Sequence, residues 1–394
     1  MLGAGVFAAF APAARAAGTG LPVALAIAAG VAYCNATSSA RLAAVHPRAG
    51  GTYVYGRWQL GPAWGFVAGW GFVVGKTASC AAMALTVGAY AWPAHPRPVA
   101  VTAALALTAV NWLGVTRTLG VTRVLVAVTL LALTLVVVGC LAGGAADPAR
   151  LHPVDLGPYG LLQGAGLLFF AFAGYARVAT LGEEVRDPAR VIPRAVPTAL
   201  GLVVGVYALV GVGVLLVLGA DRLAGSTAPL RDAVAAGRLD GLAPLVRLGA
   251  VAAAAGVLLS LLAGVSRTTL AMARDRELPA WLDAVHPRHH VPHRAELVIG
   301  AVVAVTAAVV DLRTALGFSG LAVLVYYAIA NAAAWTLDAP RPAGTRPLAA
   351  VGVAGCLLLA ASLPVAGVLA GTGVLAAGLA GRALRRGRAG AGTG

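Results

Sequence analysis

Residues 160–184, GLLQGAGLLFFAFAGYARVATLGEE, are apolar for about the roughly 20 residues that a bilayer-spanning helix needs. Their middle, Phe172-Ala173-Gly174-Tyr175, is a poor place to keep a helix continuous, because Gly174 relaxes the backbone. A second glycine-centred break, Gly3-Ala4-Gly5-Val6-Phe7, opens the chain in an equally apolar setting. Irregular backbone at membrane depth is tolerated only where it faces protein or a water-filled cavity. Paired broken helices in two halves of a chain therefore point to a buried polar site, the outline of a secondary transporter.

Composition agrees. With 60% hydrophobic and 11% charged residues and a mean hydropathy of +0.86, the chain is far from the soluble norm of about 25% charged. A formal charge of +15 would suggest nucleic acid in a soluble domain, but in a polytopic protein it is expected from loops on the cytoplasmic side. Cys34, Cys80, Cys140 and Cys356 all fall inside apolar runs and read as small buried hydrophobes.

Twelve spans are expected: Met1–Ala17, Leu21–Arg41, Trp64–Trp92, Val99–Val115, Leu119–Leu141, Gly160–Leu181, Ala195–Leu218, Leu245–Met272, Ala295–Val310, Thr314–Leu337, Leu348–Leu363 and Val365–Leu384. The fold class is an all-α polytopic membrane protein with a single transporter domain over residues 1–394. With the first span running outward, 20 of the 28 arginines fall on the inner side, which places both termini in the cytoplasm.

The residues carry a family resemblance. Gly3–Phe7, Pro47-Arg48-Ala49-Gly50-Gly51-Thr52-Tyr53-Val54-Tyr55 and Gly65-Phe66-Val67-Ala68-Gly69-Trp70 resemble the opening of the amino acid–polyamine–organocation superfamily of transporters. Phe169–Tyr175 leading to Glu183-Glu184-Val185-Arg186-Asp187-Pro188 and Ile192-Pro193-Arg194-Ala195 is similar to its sixth helix and following loop. Ser266-Arg267, Met272-Ala273-Arg274-Asp275, Leu278-Pro279 and Val285-His286-Pro287 look like its eighth helix and next inner loop.

The resemblance implies an inverted repeat of five plus five helices, residues 1–141 and 160–337, then two accessory helices over 348–384 and a basic cytoplasmic tail over 385–394. The substrate would lie between the broken first and sixth helices. Amides at a half-helix start favour a carboxylate, and freed carbonyls accept from an ammonium. By the resemblance, Ala4, Gly5 and Val6, flanked by Gly3 and Phe7, would offer amides. Phe170, Ala171 and Phe172, with Gly174 and Tyr175, would offer carbonyls and an aromatic wall. The bland alternative is that these glycines only let helices pack closely.

Two features depart from the family pattern. Many members carry a carboxylate after the aromatic residue of the sixth-helix break, whereas here Ala176 stands there and Arg177 follows. That weakens a cationic substrate. The family's first helix also has an inner half before Gly3, so a truncated first helix is expected: either the true start lies upstream or that part of the inner gate is missing.

Lys76 is the single lysine, near the middle of the third span. An unpaired ammonium at the membrane centre costs roughly 2.5–3.5 kcal/mol even on an insertion scale, so the residue is a functional candidate by default. It could carry a proton, replace a bound sodium ion or meet the substrate carboxylate; alternatively, it is a structural cation held by helix-end carbonyls or by Thr77 and Ser79. Glu183 and Glu184 suit an inner gate, with Arg177 as a gate partner or as a residue whose head lies in interfacial water. Ser260 and Ser266 lie on the eighth span, but the adjacent hydroxyl pair of a sodium site is not seen around Ser260, and a lone serine in such a helix bonds back to its own backbone. His286, His289, His290 and His293 sit in an arginine-rich loop that does not read as a metal site.

No catalytic pairing, phosphate loop or cofactor motif is present, so the expectation is no enzyme, no cofactor and no metal. The expected function is amino acid transport across the inner membrane by alternating access, coupled to protons in uptake or exchange, with a small-molecule substrate and surrounding lipid as partners. The alternatives are a polyamine or organic-amine exchanger and a receptor or scaffold that has kept a transporter fold without cycling.

Overall fold

The computed structural model describes residues 3–46, 50–114, 119–151, 157–175, 188–337 and 345–391. In chain order the helices are α1 (Gly5–Ala17), α2 (Leu21–Val45), α3 (Thr52–Gln59), α4 (Pro62–Ala91), α5 (Pro96–Trp112), α6 (Leu119–Ala142), α7 (Pro158–Phe172), α8 (Pro188–Gly225), α9 (Pro229–Ala235), α10 (Ala243–Arg274), α11 (His293–Val309), α12 (Leu312–Thr336), α13 (Thr345–Ser362) and α14 (Val365–Ala391). Among the described residues there is no strand. Among the described residues, eight helical stretches are long and apolar enough to cross a bilayer; one of them, Gly5–Val45, contains both α1 and α2.

Local chemistry explains where the helices begin. Proline occupies the first position of α4, α5, α7, α8 and α9, where its missing N–H leaves no intrahelical bond unmade and its fixed φ already suits the helix. Gly61, just before Pro62, has φ 104°, which a side chain would resist, so the turn into α4 depends on glycine. At the start of α12 the Asp311 carboxylate accepts from the Thr314 N–H (3.0 Å) and the Thr314 hydroxyl (2.6 Å), capping a helix end that would otherwise be unsatisfied.

Each of the twelve expected spans has its helix. The fit is within a few residues for most, as in Leu119–Ala142 against the expected Leu119–Leu141. Two short helices, α3 and α9, were not foreseen; both are too short to show a periodic signal. The expected sixth span is helical only as far as Phe172, followed by a tighter turn over Ala173–Tyr175, and its second half lies outside the described residues. Helix α14 runs on to Ala391, taking in most of the stretch read as a tail.

Helix α4 is the hub. It packs along α10 on one side and α12 on another, with α5 and α3 against its ends. Close approach is built from small residues: a Cβ on Gly75 would sit 2.8 Å from the Ala322 Cβ of α12. Helices α1 and α7 pack together, with α8 against α1 and α2 against both α7 and α8. All four cysteines are buried and unbonded to one another.

Candidate functional site

The two glycine-centred breaks meet. A Cβ built on Gly5 would lie 2.6 Å from the Ala171 Cα and 3.1 Å from its Cβ, so α1 and α7 touch backbone to backbone at this point. Only glycine allows that approach. Helix α1 has Ala4 as its N-cap, and the Phe7 N–H reaches the Ala4 carbonyl at 3.0 Å. The amides of Ala4, Gly5 and Val6 therefore stand at a helix start, where main-chain donors lack intrahelical acceptors. Ala4, Gly5, Val6 and Phe7 are buried, and Gly3 is half-buried.

On the opposite side, Ala171, Phe172 and Ala173 are buried, Phe170 is half-buried and Gly174 is exposed. Tyr175 ends the tight turn after α7. The carbonyls of this break already meet donors from three other helices. Lys76 of α4 donates to the Ala173 carbonyl at 3.4 Å, and the Tyr327 hydroxyl of α12 reaches the same oxygen at 3.4 Å. Tyr207 of α8 donates to the Ala171 carbonyl at 3.3 Å. Tyr90 of α4 donates to the Phe7 carbonyl at 3.3 Å and accepts from the Leu230 N–H of α9 at 3.4 Å.

Lys76 is 6% exposed. The neighbouring hydroxyls do not hold it: Thr77 bonds back to the Val73 carbonyl at 2.7 Å, while Ser79 bonds the Gly75 carbonyl at 3.1 Å and the Ser319 hydroxyl at 2.7 Å. Its bond goes instead to the carbonyl where α7 breaks. Among the described residues no carboxylate pairs with it.

Aromatic rings wall the same region. Phe7 meets Tyr90 edge-on at 5.8 Å, Phe169 meets Tyr327 at 5.8 Å, and Phe172 meets Tyr207 at 5.4 Å. Sequence reasoning named Phe7 and Phe172 for this site and Lys76 as a functional candidate of the third span, but missed Tyr90, Tyr207 and Tyr327. A tyrosine in a membrane helix gives no sign of which carbonyl its hydroxyl will find. Arg177, Glu183 and Glu184 lie outside the described residues. Ser266 bonds back to the Leu262 carbonyl at 2.8 Å, as expected of a lone serine.

A family model described as amino acid permease matches residues 1–346. The chain belongs to the amino acid permease family. An uncharacterized transporter of Mycobacterium tuberculosis is 62% identical over 389 residues, covering 98% of this chain and 88% of the relative. The branched-chain amino acid permease of Bacillus subtilis is 25% identical over 372 residues, 87% of this chain and 78% of that protein. Cationic amino acid transporter 7, chloroplastic, of Arabidopsis thaliana is 28% identical over 367 residues, 84% of this chain and 62% of that protein. The permease is thus a multi-pass membrane transporter rather than an enzyme, and its substrate belongs to the amino acid class.

Facing the other end of α4, a second polar constellation ties α3 to the residues after α10. The Tyr53 hydroxyl donates to Asp275 at 2.5 Å, and Arg57 pairs with the same carboxylate at 3.4 Å. Beside it, Arg382 of α14 grips Glu277 through two bonds, Nε to Oε2 at 2.7 Å and Nη2 to Oε1 at 3.0 Å. Arg382 also donates to the Pro62 carbonyl at 3.0 Å and lies over the Phe66 ring at 5.2 Å. The permease thus carries an exposed ion pair and a buried one close together in sequence.

Proposed function

We propose that the permease moves amino acids across the cytoplasmic membrane by alternating access, in uptake or exchange, with a proton as coupling ion and Lys76 as its carrier. The observation that carries this reading is the contact between the Lys76 ammonium and the Ala173 carbonyl at the α7 break. An amine there, buried and with no carboxylate partner among the described residues, bears a desolvation cost in its charged form. An amino acid bound between the breaks brings its own carboxylate into the chamber, which offsets that cost and lets Lys76 keep its proton. Departure of the substrate removes the counter-charge and favours release of the proton. Substrate and proton binding are thereby linked without a sodium site. Among the described residues, Tyr327 of α12 shares the Ala173 acceptor of Lys76, and Cys80 lies one turn on along its own helix.

In this reading the amides of Ala4, Gly5 and Val6 take the carboxylate. The main chain of Phe170, Ala171 and Phe172 takes the ammonium, and Gly3, Phe7, Gly174 and Tyr175 complete the surround. Glu183, Glu184 and Arg177 form the inner gate, both termini are cytoplasmic, and residues 1–141 and 160–337 are the two inverted halves.

The test is uptake of a labelled amino acid mixture into proteoliposomes under an imposed pH gradient without sodium, with exchange against preloaded amino acids alongside. Lys76→Ala is expected to lose gradient-driven accumulation while retaining exchange. Accumulation by Lys76→Ala at the native level would refute Lys76 as the carrier.

A further inference from the structure

The distribution of acidic residues limits what the site can accept. Residues 1–146 contain no aspartate or glutamate, and neither do residues 157–182. The first six helices and α7 therefore bring no carboxylate to the membrane. Nor do α10, α12, α13 and α14. On the remaining long helices the acids are Asp221 of α8, exposed and beyond the kink at Gly219, and Glu296, one turn into α11 next to the histidine loop, where the charge of Arg267 acts on it. Asp232 of the short α9, whose charge reaches Tyr90, is already paired with Arg231 and the Ser226 hydroxyl, so Lys76 at the α1–α7 crossing has no acid to balance it among the described residues.

From this arrangement we infer the substrate class, on the reading above that the α1–α7 crossing is the transport site: amino acids without net positive charge enter, while cationic amino acids and polyamines are rejected. A zwitterion offers one carboxylate for the amides of α1 and one ammonium for the carbonyls. Two carbonyls of the α7 break already receive donors, Ala173 from Lys76 and Tyr327 and Ala171 from Tyr207, which leaves few free acceptors. The extra ammonium or guanidinium of a lysine, an arginine or a polyamine would find no carboxylate at the crossing among the described residues and would face Lys76. At an effective dielectric constant of about 20 and a separation of about 6 Å, repulsion between two such unit charges weakens binding by about 100-fold. A polyamine also lacks the carboxylate that the helix start requires.

The experiment uses the full chain, purified in detergent for thermal-shift binding and reconstituted for counterflow of labelled neutral amino acids. Alanine, leucine, phenylalanine, arginine, lysine and putrescine are the competitors, in the native protein and in Lys76→Gln. The expected result is stabilisation and competition by one or more of the neutral amino acids, with arginine, lysine and putrescine weaker by about 100-fold. Lys76→Gln should narrow that gap, because it removes the repelling charge; a purely structural lysine would weaken every ligand alike and leave the ratio unchanged. Arginine or putrescine acting as well as the best neutral competitor overturns the inference and leaves amino acid transport standing. If no amino acid binds or moves in either assay, the transport reading falls and the substrate class falls with it.

Discussion

Removing Arg382 should destabilise the permease far more than removing Arg57, although both arginines form ion pairs with acids just beyond the end of α10. The side chains of Arg382 and Glu277 are 8% and 5% exposed, and their two hydrogen bonds fix the guanidinium plane against the carboxylate. Arg382→Met strands a buried carboxylate, and breaking such a pair from one side costs about 3–5 kcal/mol. Glu277→Leu strands the guanidinium, although the Pro62 carbonyl and the Phe66 face still hold part of it. The double variant leaves neither charge uncompensated and should lie close to the native protein, because well-packed apolar groups replace a buried pair at little cost. Arg57 and Asp275 are 38% and 46% exposed, so Arg57→Met should cost only about 0–1 kcal/mol. The assay is equilibrium unfolding of the solubilised protein in mixed micelles of rising denaturing-detergent fraction, for the native protein, the two single variants, the double variant and Arg57→Met. The reasoning fails if Arg382→Met loses less than about 1 kcal/mol, or if the double variant is as unstable as the two single losses added together.

Three further outcomes are expected. Gly5→Ala should cost about 1–3 kcal/mol and depress uptake, because the new methyl meets the backbone of Ala171 rather than a side chain that can swing away; native melting and native uptake together would refute the crossing. Asn35 and Asn331, both fully buried, share a 2.6 Å bond between α2 and α12, so Asn35→Leu should lower stability by about 1–3 kcal/mol, and adding Asn331→Leu should recover part of it; a double variant worse than the single one would speak against that pairing. Burial lowers the pKa of His46, which packs against Tyr55 and Trp58. A depressed histidine contributes stability above its unfolded value of about 6.5 and loses it as pH falls through the folded value, so the melting temperature should drop on acidification, and less so in His46→Asn. Equal acid sensitivity in the two proteins would remove His46 from the account.

The fold was legible because membrane helices announce themselves by length and apolarity, and because proline and glycine mark their starts. Pro62, Pro96 and Pro158 each open a helix, and the Gly3–Gly5 and Gly174 breaks fall within two residues of where helices begin or stop. What sits opposite Lys76 was not legible: its acceptor, Ala173, is 97 residues away and is a backbone atom with no side-chain signature. Arg382 was not legible either: it lies inside the expected last span, and nothing local shows that it is buried against Glu277, 105 residues away. Long-range pairing of polar groups leaves no local pattern, so periodicity and composition are blind to it. The short α3 and α9 escaped notice for a simpler reason: one or two turns do not establish a period.

Tyr90 has a mechanical consequence. Its ring sits in the hub helix and its hydroxyl holds two main chains at once, the Phe7 carbonyl on one side and the Leu230 amide of the short α9 on the other. If α9 swings away, the amide loses its acceptor and the tyrosine loses the donor that orients its hydroxyl toward Phe7. The first turn of α1 would feel that loss immediately, with no side-chain relay in between. One phenol thus works as a shared hinge pin: the short helix and the broken one cannot be repositioned independently, and the free energy to lift either is partly stored in the other.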